Sequence, residues 1–298
     1  MTRNIKTIST LALVTTAVFA SGTAQAEPDA KATYKDIQNT LGLVPTFMKA
    51  FPEDGIAGAW DEFKSLQLNP KTALSMKQKE LIGLAVAAQI PCRYCVYFHT
   101  NVGTKLGGAT DAEVKEAIAM AAITRHWSTY LNGMQIDLGE FKQELANVVS
   151  YFKAGKSKPS GVQIVDAQTA YKDMESTLGR VPTFFRRFPE VGVAPAWREF
   201  KRIQLNPATK LDGKTKELIG LAVAAQVPCT YCIAFHTEAA KLNGATDVEI
   251  REAVAMASIT RHWSTVLNGA LPDEAQFRRE VDTVIANAKR AAAKAAKK

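Results

Sequence analysis

Apolar residues recur at three- and four-residue spacing along most of the chain, which is the period of an amphipathic α-helix. The clearest run consists of Ile56, Ala59, Trp60, Phe63 and Leu66. The run stops at Asn69, which Pro70 follows. Residues 81–88, LIGLAVAA, are apolar on every face, which predicts a helix buried against several neighbours. The alternating runs and turn dipeptides that mark β-hairpins are absent from the sequence, so the pattern predicts an all-α fold.

The chain also contains an internal repeat. The segment ELIGLAVAAQIPCRYC at 80–95 recurs as ELIGLAVAAQVPCTYC at 217–232, and LGLVPTF at 41–47 recurs as LGRVPTF at 178–184. After His99 the offset falls from 137 to 136, and TRHWST at 124–129 then matches TRHWST at 260–265. All Cys, His and Trp residues fall in matched pairs. The chain is therefore predicted to be two tandem helical domains related by internal duplication.

The domain boundaries follow from this repeat. We expect a signal peptide over 1–26, a first domain over 27–152, a linker over 153–162 and a second domain over 163–298 with a basic C-terminal tail. The linker KAGKSKPSGV mixes Gly, Ser, Pro and Lys and has no apolar period. The tail KRAAAKAAKK is expected to be a solvated helix end.

Capping residues mark where helices begin. Ser75 and Gln78 form a capping-box pattern that predicts a helix from about Met76 to Gln89, and Pro91 ends it. A further helix is predicted from the cysteines to Leu106. The same pattern opens later helices at Thr110 with Glu113 and at Thr246 with Glu249. With a short Pro-initiated helix at 44–50, each copy is expected to contain roughly six helices.

Charge and the N-terminus narrow the class of function. The chain has 298 residues and a formal net charge of +8, with 29 acidic residues interspersed among the basic ones, so a nucleic-acid partner is not expected. The first 26 residues have Arg3 and Lys6, an apolar stretch from 8 to 20, and the small-residue end Ala-Gln-Ala. This is the pattern of a secretory signal peptide, and its removal lowers the net charge by two, to +6. We therefore expect an exported protein, periplasmic or secreted, with no transmembrane segment in the mature chain.

One constellation of reactive residues occurs in both copies. Its members are Glu80, Cys92, Cys95 and His99 in the first copy and Glu217, Cys229, Cys232 and His236 in the second. Pro91 sets a helix start at which the exposed N–H groups and the positive end of the helix dipole stabilise a thiolate. Cys95 and His99 are one helical turn apart and share a face. An antiparallel return of this helix could bring Glu80 to His99, where a carboxylate would orient the imidazole and relay protons.

These residues resemble the AhpD-like alkylhydroperoxidase branch of the carboxymuconolactone decarboxylase superfamily. The resemblance rests on Glu, then Cys-x-x-Cys twelve residues on, then His four residues further, in both copies, with flanking LG-x-VPTF and KLxGATD segments. It covers nearly the whole chain after residue 26. It implies an all-helical, oligomeric protein and a peroxidase whose thiol pair cycles with a disulfide. Decarboxylases of the superfamily generally lack the cysteine pair.

The resemblance also implies roles for the site residues. It assigns the peroxidatic thiol to Cys95 and Cys232 and the resolving thiol to Cys92 and Cys229. The proton relay falls to Glu80 with His99 and to Glu217 with His236. The chain departs from the family where it has Tyr94 and Tyr231 instead of a second His between the cysteines. No cofactor or metal is expected.

Other interpretations of the same residues remain open. A CxxC pair in an oxidising compartment also suits a structural disulfide, and Cys-x-x-Cys-x-x-x-His with Glu also suits zinc. Glu80 alone on an apolar helix is more often a surface or capping charge. His126 and His262, in the TRHWST segments, are further candidates, for which a buried structural or interface role is favoured over a catalytic one. The tryptophans are expected to be core or interface anchors.

Two functional hypotheses follow. The first is an exported thiol peroxidase or dithiol oxidoreductase that acts on a peroxide and is recycled by an unidentified dithiol electron donor. The second is a helical binding or assembly module in which CxxC is a structural disulfide. In either case a homo-oligomer is expected, with a trimer favoured over a dimer.

Overall fold

The computed structural model describes residues 29–297, and within that range every regular element is helical. There are thirteen α-helices and one 3-10 turn, with no strand among the described residues, which confirms the all-α prediction. The predicted signal peptide and its cleavage site lie outside the described residues.

The first copy contributes six α-helices and the 3-10 turn. The helices are α1 (Ala30–Leu41), α2 (Glu53–Leu66), α3 (Met76–Gln89), α4 (Arg93–Lys105), α5 (Asp111–Gly133) and α6 (Leu138–Lys153), and the turn is Thr46–Ala50. The short helix expected at 44–50 is thus a 3-10 turn in this copy.

The second copy contributes the remaining seven helices. They are α7 (Ala167–Leu178), α8 (Thr183–Arg187), α9 (Glu190–Ile203), α10 (Gly213–Gln226), α11 (Thr230–Leu242), α12 (Asp247–Ala270) and α13 (Glu274–Ala295). Residues 154–166 between the copies contain no helix, and the side chain of Ser160 within them donates to Asp173.

The helix starts follow their capping residues. Ser75 accepts from the Gln78 N–H, and the Gln78 side chain in turn accepts from the Ser75 N–H. The same reciprocal pair forms at the starts of α5 and α12. Each pair satisfies N–H groups that a helix start leaves without an intrahelical partner, so the predicted boundaries of these helices hold.

The two copies are interlocked rather than placed side by side. Helices α3, α5, α10 and α12 form the centre, where α3 packs against α10 and α12, and α10 packs against α5. Helix α6 leaves the first copy to pack on α7 and α11, and α13 returns from the second copy to pack on α1 and α4. Each lobe of the molecule is therefore completed by the last helices of the other copy. The packing units thus do not coincide with the two copies of the sequence.

Polar contacts fix this exchange. The Tyr94 hydroxyl donates to the carbonyl of Pro272 at 2.9 Å, and Tyr231 donates to Ile136 at 2.5 Å. A buried hydroxyl needs such a partner, and here the partner lies in the loop that precedes α13 or α6. Tyr94 and Tyr231, between the cysteines, thus hold the exchanged helices to the cysteine helices.

All four tryptophans are buried. Trp197 is fully buried on α9, and its Nε1 donates to Asp173 at 2.7 Å. Lys201 donates to both carboxylate oxygens of Asp173 at 2.7 and 2.8 Å. Burial works against ionisation of Asp173, but the hydrogen bonds from Lys201, Ser160 and Trp197 together outweigh it and lower the pKa of that carboxyl.

The first copy repeats this cluster at the surface. Trp60 and Lys64 donate to Asp36, whose side chain is 42% exposed, whereas that of Asp173 is 1% exposed. Since water screens the first cluster, its contribution to stability should be the smaller one.

Among the described helices none is long and apolar enough to cross a membrane.

We expect Asp173→Asn to lower the free energy of unfolding at pH 7 by about 3 kcal/mol, because it removes the charge that buried donors solvate. The matched change Asp36→Asn should cost about 1 kcal/mol or less. The folded pKa of Asp173 is lowered, so its contribution is complete above the ordinary pKa of 3.8 and is lost as the pH falls through the folded pKa. The cost of Asp173→Asn should therefore shrink on acidification. Urea unfolding at several pH values measures it, and equal costs at the two positions would contradict this account.

Candidate active site

Each cysteine pair lies at the start of a helix and forms a disulfide. Cys92 is the N-cap of α4 and is joined to Cys95, and Cys229 is the N-cap of α11 and is joined to Cys232. The Cys92 sulfur accepts the backbone N–H of Cys95 at 3.3 Å, and the second copy repeats this contact at 3.2 Å. Cys92 thus lies at the helix start that Pro91 predicted, and there the backbone N–H favours negative charge on the first sulfur of the pair.

A carboxylate–imidazole pair lies behind the cysteines. Glu80 on α3 and His99 on α4 are both buried, and Glu80 Oε2 lies 2.8 Å from His99 Nδ1. In the second copy Glu217 Oε2 lies 2.7 Å from His236 Nδ1. Because an ionised carboxylate only accepts, the proton of this contact is on Nδ1, and Nε2 is the ring nitrogen that points away from the carboxylate. The antiparallel return of α4 along α3 brings this pair together, as the sequence suggested.

A glutamine holds the second oxygen of each carboxylate, and the sequence reasoning missed it. Gln67 donates from Nε2 to Glu80 Oε1 at 3.1 Å, and Gln204 does the same to Glu217 at 3.1 Å. Both glutamines are buried. The available signal was the QLNP segment, which occurs in both copies after the apolar run of α2 or α9. Glu80 is therefore fixed by donors on both of its oxygens within the core rather than being a surface charge.

A buried lysine aligns that glutamine. Lys79 Nζ donates to the carbonyls of Leu66 and Asn69, both at 2.7 Å, and Gln67 lies between those two residues. Lys216 makes the equivalent contacts in the second copy. Burial lowers the pKa of Lys79 and of Lys216. The two carbonyls compensate by solvating the ammonium group, and they hold the end of α2 against α3.

A glycine makes room for each imidazole. A Cβ on Gly83 would overlap the His99 ring, and one on Gly220 would overlap the His236 ring. The glycine in LIGLAVAA is thus required by the close approach of a side chain on the next helix. Sequence spacing identified the apolar helix but gave no reason for its glycine.

The second imidazole also touches the first copy. His236 Nε2 lies 3.2 Å from the hydroxyl of Thr124 on α5, and both groups are buried. Thr260 is the counterpart of Thr124 in the other TRHWST segment. It is buried on α12, which packs on α3 and α4, and its hydroxyl makes no hydrogen bond within the described structure. This threonine was not among the predicted site residues.

A large cavity reaches the second site. It has a volume of about 1310 Å³, and Cys232, His236 and Glu217 lie in its wall, whereas Cys229 does not. Most of the remaining wall is apolar, and its aromatic members are Trp127, Phe141, Phe152, Phe184, Phe185, Phe200 and Phe235. The second cysteine of the pair is therefore the one that faces the space where a ligand would enter.

The other candidate histidines lie at aromatic contacts. His126 is exposed, and its ring centroid is 5.9 Å from that of Phe188, so of the two roles favoured for it, buried or interface, the interface role stays a prediction. His262 is half-buried, 5.2 Å from Phe51. Each lies two residues after the threonine of its TRHWST segment, and because two helical residues turn by about 200°, it projects from the opposite side of the helix.

The match to known proteins agrees with this arrangement. The sequence profile of the carboxymuconolactone decarboxylase family matches residues 55–136 and 192–275, which together are more than half of the chain. The chain belongs to the carboxymuconolactone decarboxylase family. Each match contains one complete set of Glu, two Cys and His, so this member of the family has two such sites.

Two relatives extend the comparison. A crystal structure from Burkholderia xenovorans LB400, named as a gamma-carboxymuconolactone decarboxylase subunit, superposes with a TM-score of 0.52. It covers 89% of this chain and 99% of its own at 18% identity, which establishes a shared fold. A protein of Paracoccus denitrificans, called uncharacterized protein 4 in the cox locus, is 43% identical over 51 residues. Those residues are 17% of this chain, and the match spans about half of that relative's length, 46%.

We expect Gly220→Ala to destabilise the protein by about 1–3 kcal/mol, because the added methyl group and the His236 ring need the same space. Gly58→Ala on α2 is the matched control, since nothing lies within 4 Å of its added Cβ and alanine favours a helix. Urea unfolding compares the two variants. A Gly220→Ala protein as stable as the Gly58→Ala protein would show that the imidazole does not need the glycine.

Proposed function

We propose that the protein is a dithiol oxidoreductase that reduces a peroxide at each cysteine pair. The observation that carries the proposal is the combination found at each site, a disulfide at a helix start with a buried Glu–His pair on the same two helices. A disulfide that only braced the fold would need no buried carboxylate–imidazole pair beside its helix start. Membership of a family of enzymes supports the proposal further.

The two sulfurs of a pair suit different steps. Cys232 faces the cavity and shares a helix face with His236, so it is suited to attack a peroxide oxygen after His236 takes its proton. Cys229 is fully buried at the N-cap, where a backbone N–H stabilises its thiolate. When an external dithiol attacks the disulfide at Cys232, the Cys229 sulfur is therefore a good leaving group.

The proposed reaction needs only the peroxide, the residues of the site and the external dithiol. The Cys232 thiolate attacks the O–O bond of a peroxide ROOH, a proton goes to the departing oxygen, and the products are a sulfenic acid and ROH. The Cys229 thiol condenses with the sulfenic acid to give the disulfide and one water. A dithiol donor then reduces the Cys229–Cys232 disulfide to two thiols and is itself oxidised to a disulfide. His236 Nε2 accepts the thiol proton in the first step and returns it to the leaving oxygen.

The cavity supports an organic hydroperoxide as substrate of the second site. Its volume of about 1310 Å³ is far larger than hydrogen peroxide needs. An organic hydroperoxide would bury its apolar surface against the aromatic side chains of the wall, which favours binding. We therefore include both peroxides in the test below.

The first test identifies the reacting thiol. In the reduced protein, the double variant Cys92→Ser/Cys229→Ser should form one trappable sulfenic acid per copy with hydrogen peroxide or cumene hydroperoxide. The matched variant Cys95→Ser/Cys232→Ser should form almost none, because it lacks the sulfur that shares a helix face with the imidazole. Stopped-flow mixing followed by dimedone labelling and intact mass measures the yield.

Two outcomes would overturn the proposal. Equal labelling of the two variants would remove the assignment of Cys95 and Cys232. Failure of the fully reduced parent to react with either peroxide would remove the peroxidase function. A disulfide that also resisted mild dithiols would then favour the alternative, a helical module braced by CxxC.

We further propose that the protein acts after export and as a homo-oligomer, with a trimer favoured. The support is the leader-like composition of residues 1–26 and the oligomeric state that the family resemblance implies. Protein isolated from the extracytoplasmic fraction of its native host should begin at Glu27, by N-terminal sequencing, and should scatter light as a trimer at micromolar concentration. Retention of Met1 would count against export, and a monomer would rule out the assembly.

A further inference from the structure

The second site includes a hydroxyl from the first repeat. Thr124 Oγ1 lies 3.2 Å from His236 Nε2, although Thr124 is on α5 of the first copy and His236 is on α11 of the second. Thr124 is 2% exposed and His236 is 3% exposed, and both lie in the wall of the cavity that reaches the second site. The other ring nitrogen is already bound by Glu217 at 2.7 Å. The imidazole is thus held at both nitrogens, by one group from each repeat.

A hydroxyl is chemically suited to this nitrogen. In the proposed reaction, which this inference rests on, Nε2 gains a proton from the thiol and later loses it. A threonine hydroxyl donates to the neutral nitrogen and, after rotating, accepts from the protonated one. A carbonyl or an ammonium group would satisfy only one of these two states. Thr124 therefore keeps the ring oriented throughout the cycle without favouring either state.

We propose that Thr124 is a positioning residue of the second site, and that Thr260 serves the first site in the same way. Thr260 is buried on α12, which packs on both helices that bear Glu80 and His99. Its hydroxyl has no hydrogen-bond partner in the described structure, and a buried hydroxyl requires one. By the repeat, we assign His99 Nε2 as its partner, a contact that the described structure does not itself form. Each site is then assembled from both repeats, and a single repeat lacks one residue of its own site.

The test isolates the second site and removes only the hydroxyl. In a Cys92→Ser/Cys95→Ser background the first site is silent, so the whole peroxide reaction reports on Cys232. Thr124→Val keeps the shape of the side chain and should lower the rate constant for sulfenic acid formation about tenfold. Thr124→Ser restores a hydroxyl and should recover most of that rate. Thr129→Val is the matched control, because it removes a hydroxyl one turn along the same helix that binds only the Arg125 carbonyl.

A second readout separates this inference from the proposed function. In the oxidised protein, nitrogen-15 NMR of His236 should show Nε2 hydrogen-bonded in the parent and unbonded in Thr124→Val, with the second tautomer appearing. This measurement needs no peroxide, so it tests the contact even if the parent proves unreactive. Melting curves verify that the variants fold.

The reciprocal test uses Thr260. In a Cys229→Ser/Cys232→Ser background, Thr260→Val should slow the first site about tenfold and release His99 Nε2. Unchanged histidine spectra in both valine variants would overturn the inference. An altered spectrum with an unchanged rate, in a protein whose parent reacts, would also overturn it, because the contact would then be structural only.

Discussion

Burial of a carboxylate against an imidazole between two antiparallel helices is the constraint on which this site depends. A carboxylate in a protein core is costly unless donors surround it, and Glu80 has His99 on one oxygen and Gln67 on the other. The imidazole fits only because α3 has a glycine, Gly83, where the ring lies. The glutamine is aligned only because the buried Lys79 ties the carbonyls on either side of it to α3. All of these residues serve to stabilise one buried charge, the Glu80 carboxylate. The second copy has the same set.

The interlocked duplication adds a second constraint. Because α6 and α13 exchange between copies, each cysteine helix packs against a helix from the other repeat. The tyrosine between the cysteines donates to the loop that precedes that exchanged helix, so the residue at this position joins the repeats. Glu116 and Glu252 add further ties, since each accepts two backbone N–H groups from a loop of the other copy. Opening either lobe would therefore break contacts in both, and the chain is expected to unfold as one unit.

The parts that the sequence could predict are those with local causes. Helix starts at Ser75, Thr110 and Thr246 follow from capping chemistry, and the shared face of Cys95 and His99 follows from helical spacing. The Glu80–His99 contact was within reach because a single turn joins α3 to α4. The exchange of α6 and α13 could not be predicted, since the two copies have equivalent surfaces and either one could receive either helix. Thr124 was missed because its contact depends on the packing of α5 in one copy against α11 in the other, and Gly83 was missed because only the packed ring requires it.

The two copies share the candidate site residues but differ at some positions in the wall of the site. Glu, Cys, Cys, His, Gln, Gly and Thr are identical in the two copies, but two of the aromatic residues that line the second cavity are not. Phe185 in its wall corresponds to Met48 in the first copy, and Phe152 corresponds to Ala288. Replacing an aromatic ring by a smaller or more flexible side chain changes the shape and apolar area offered to a ligand without touching the proton path. Two sites that share these residues can thus differ in the ligands that they admit.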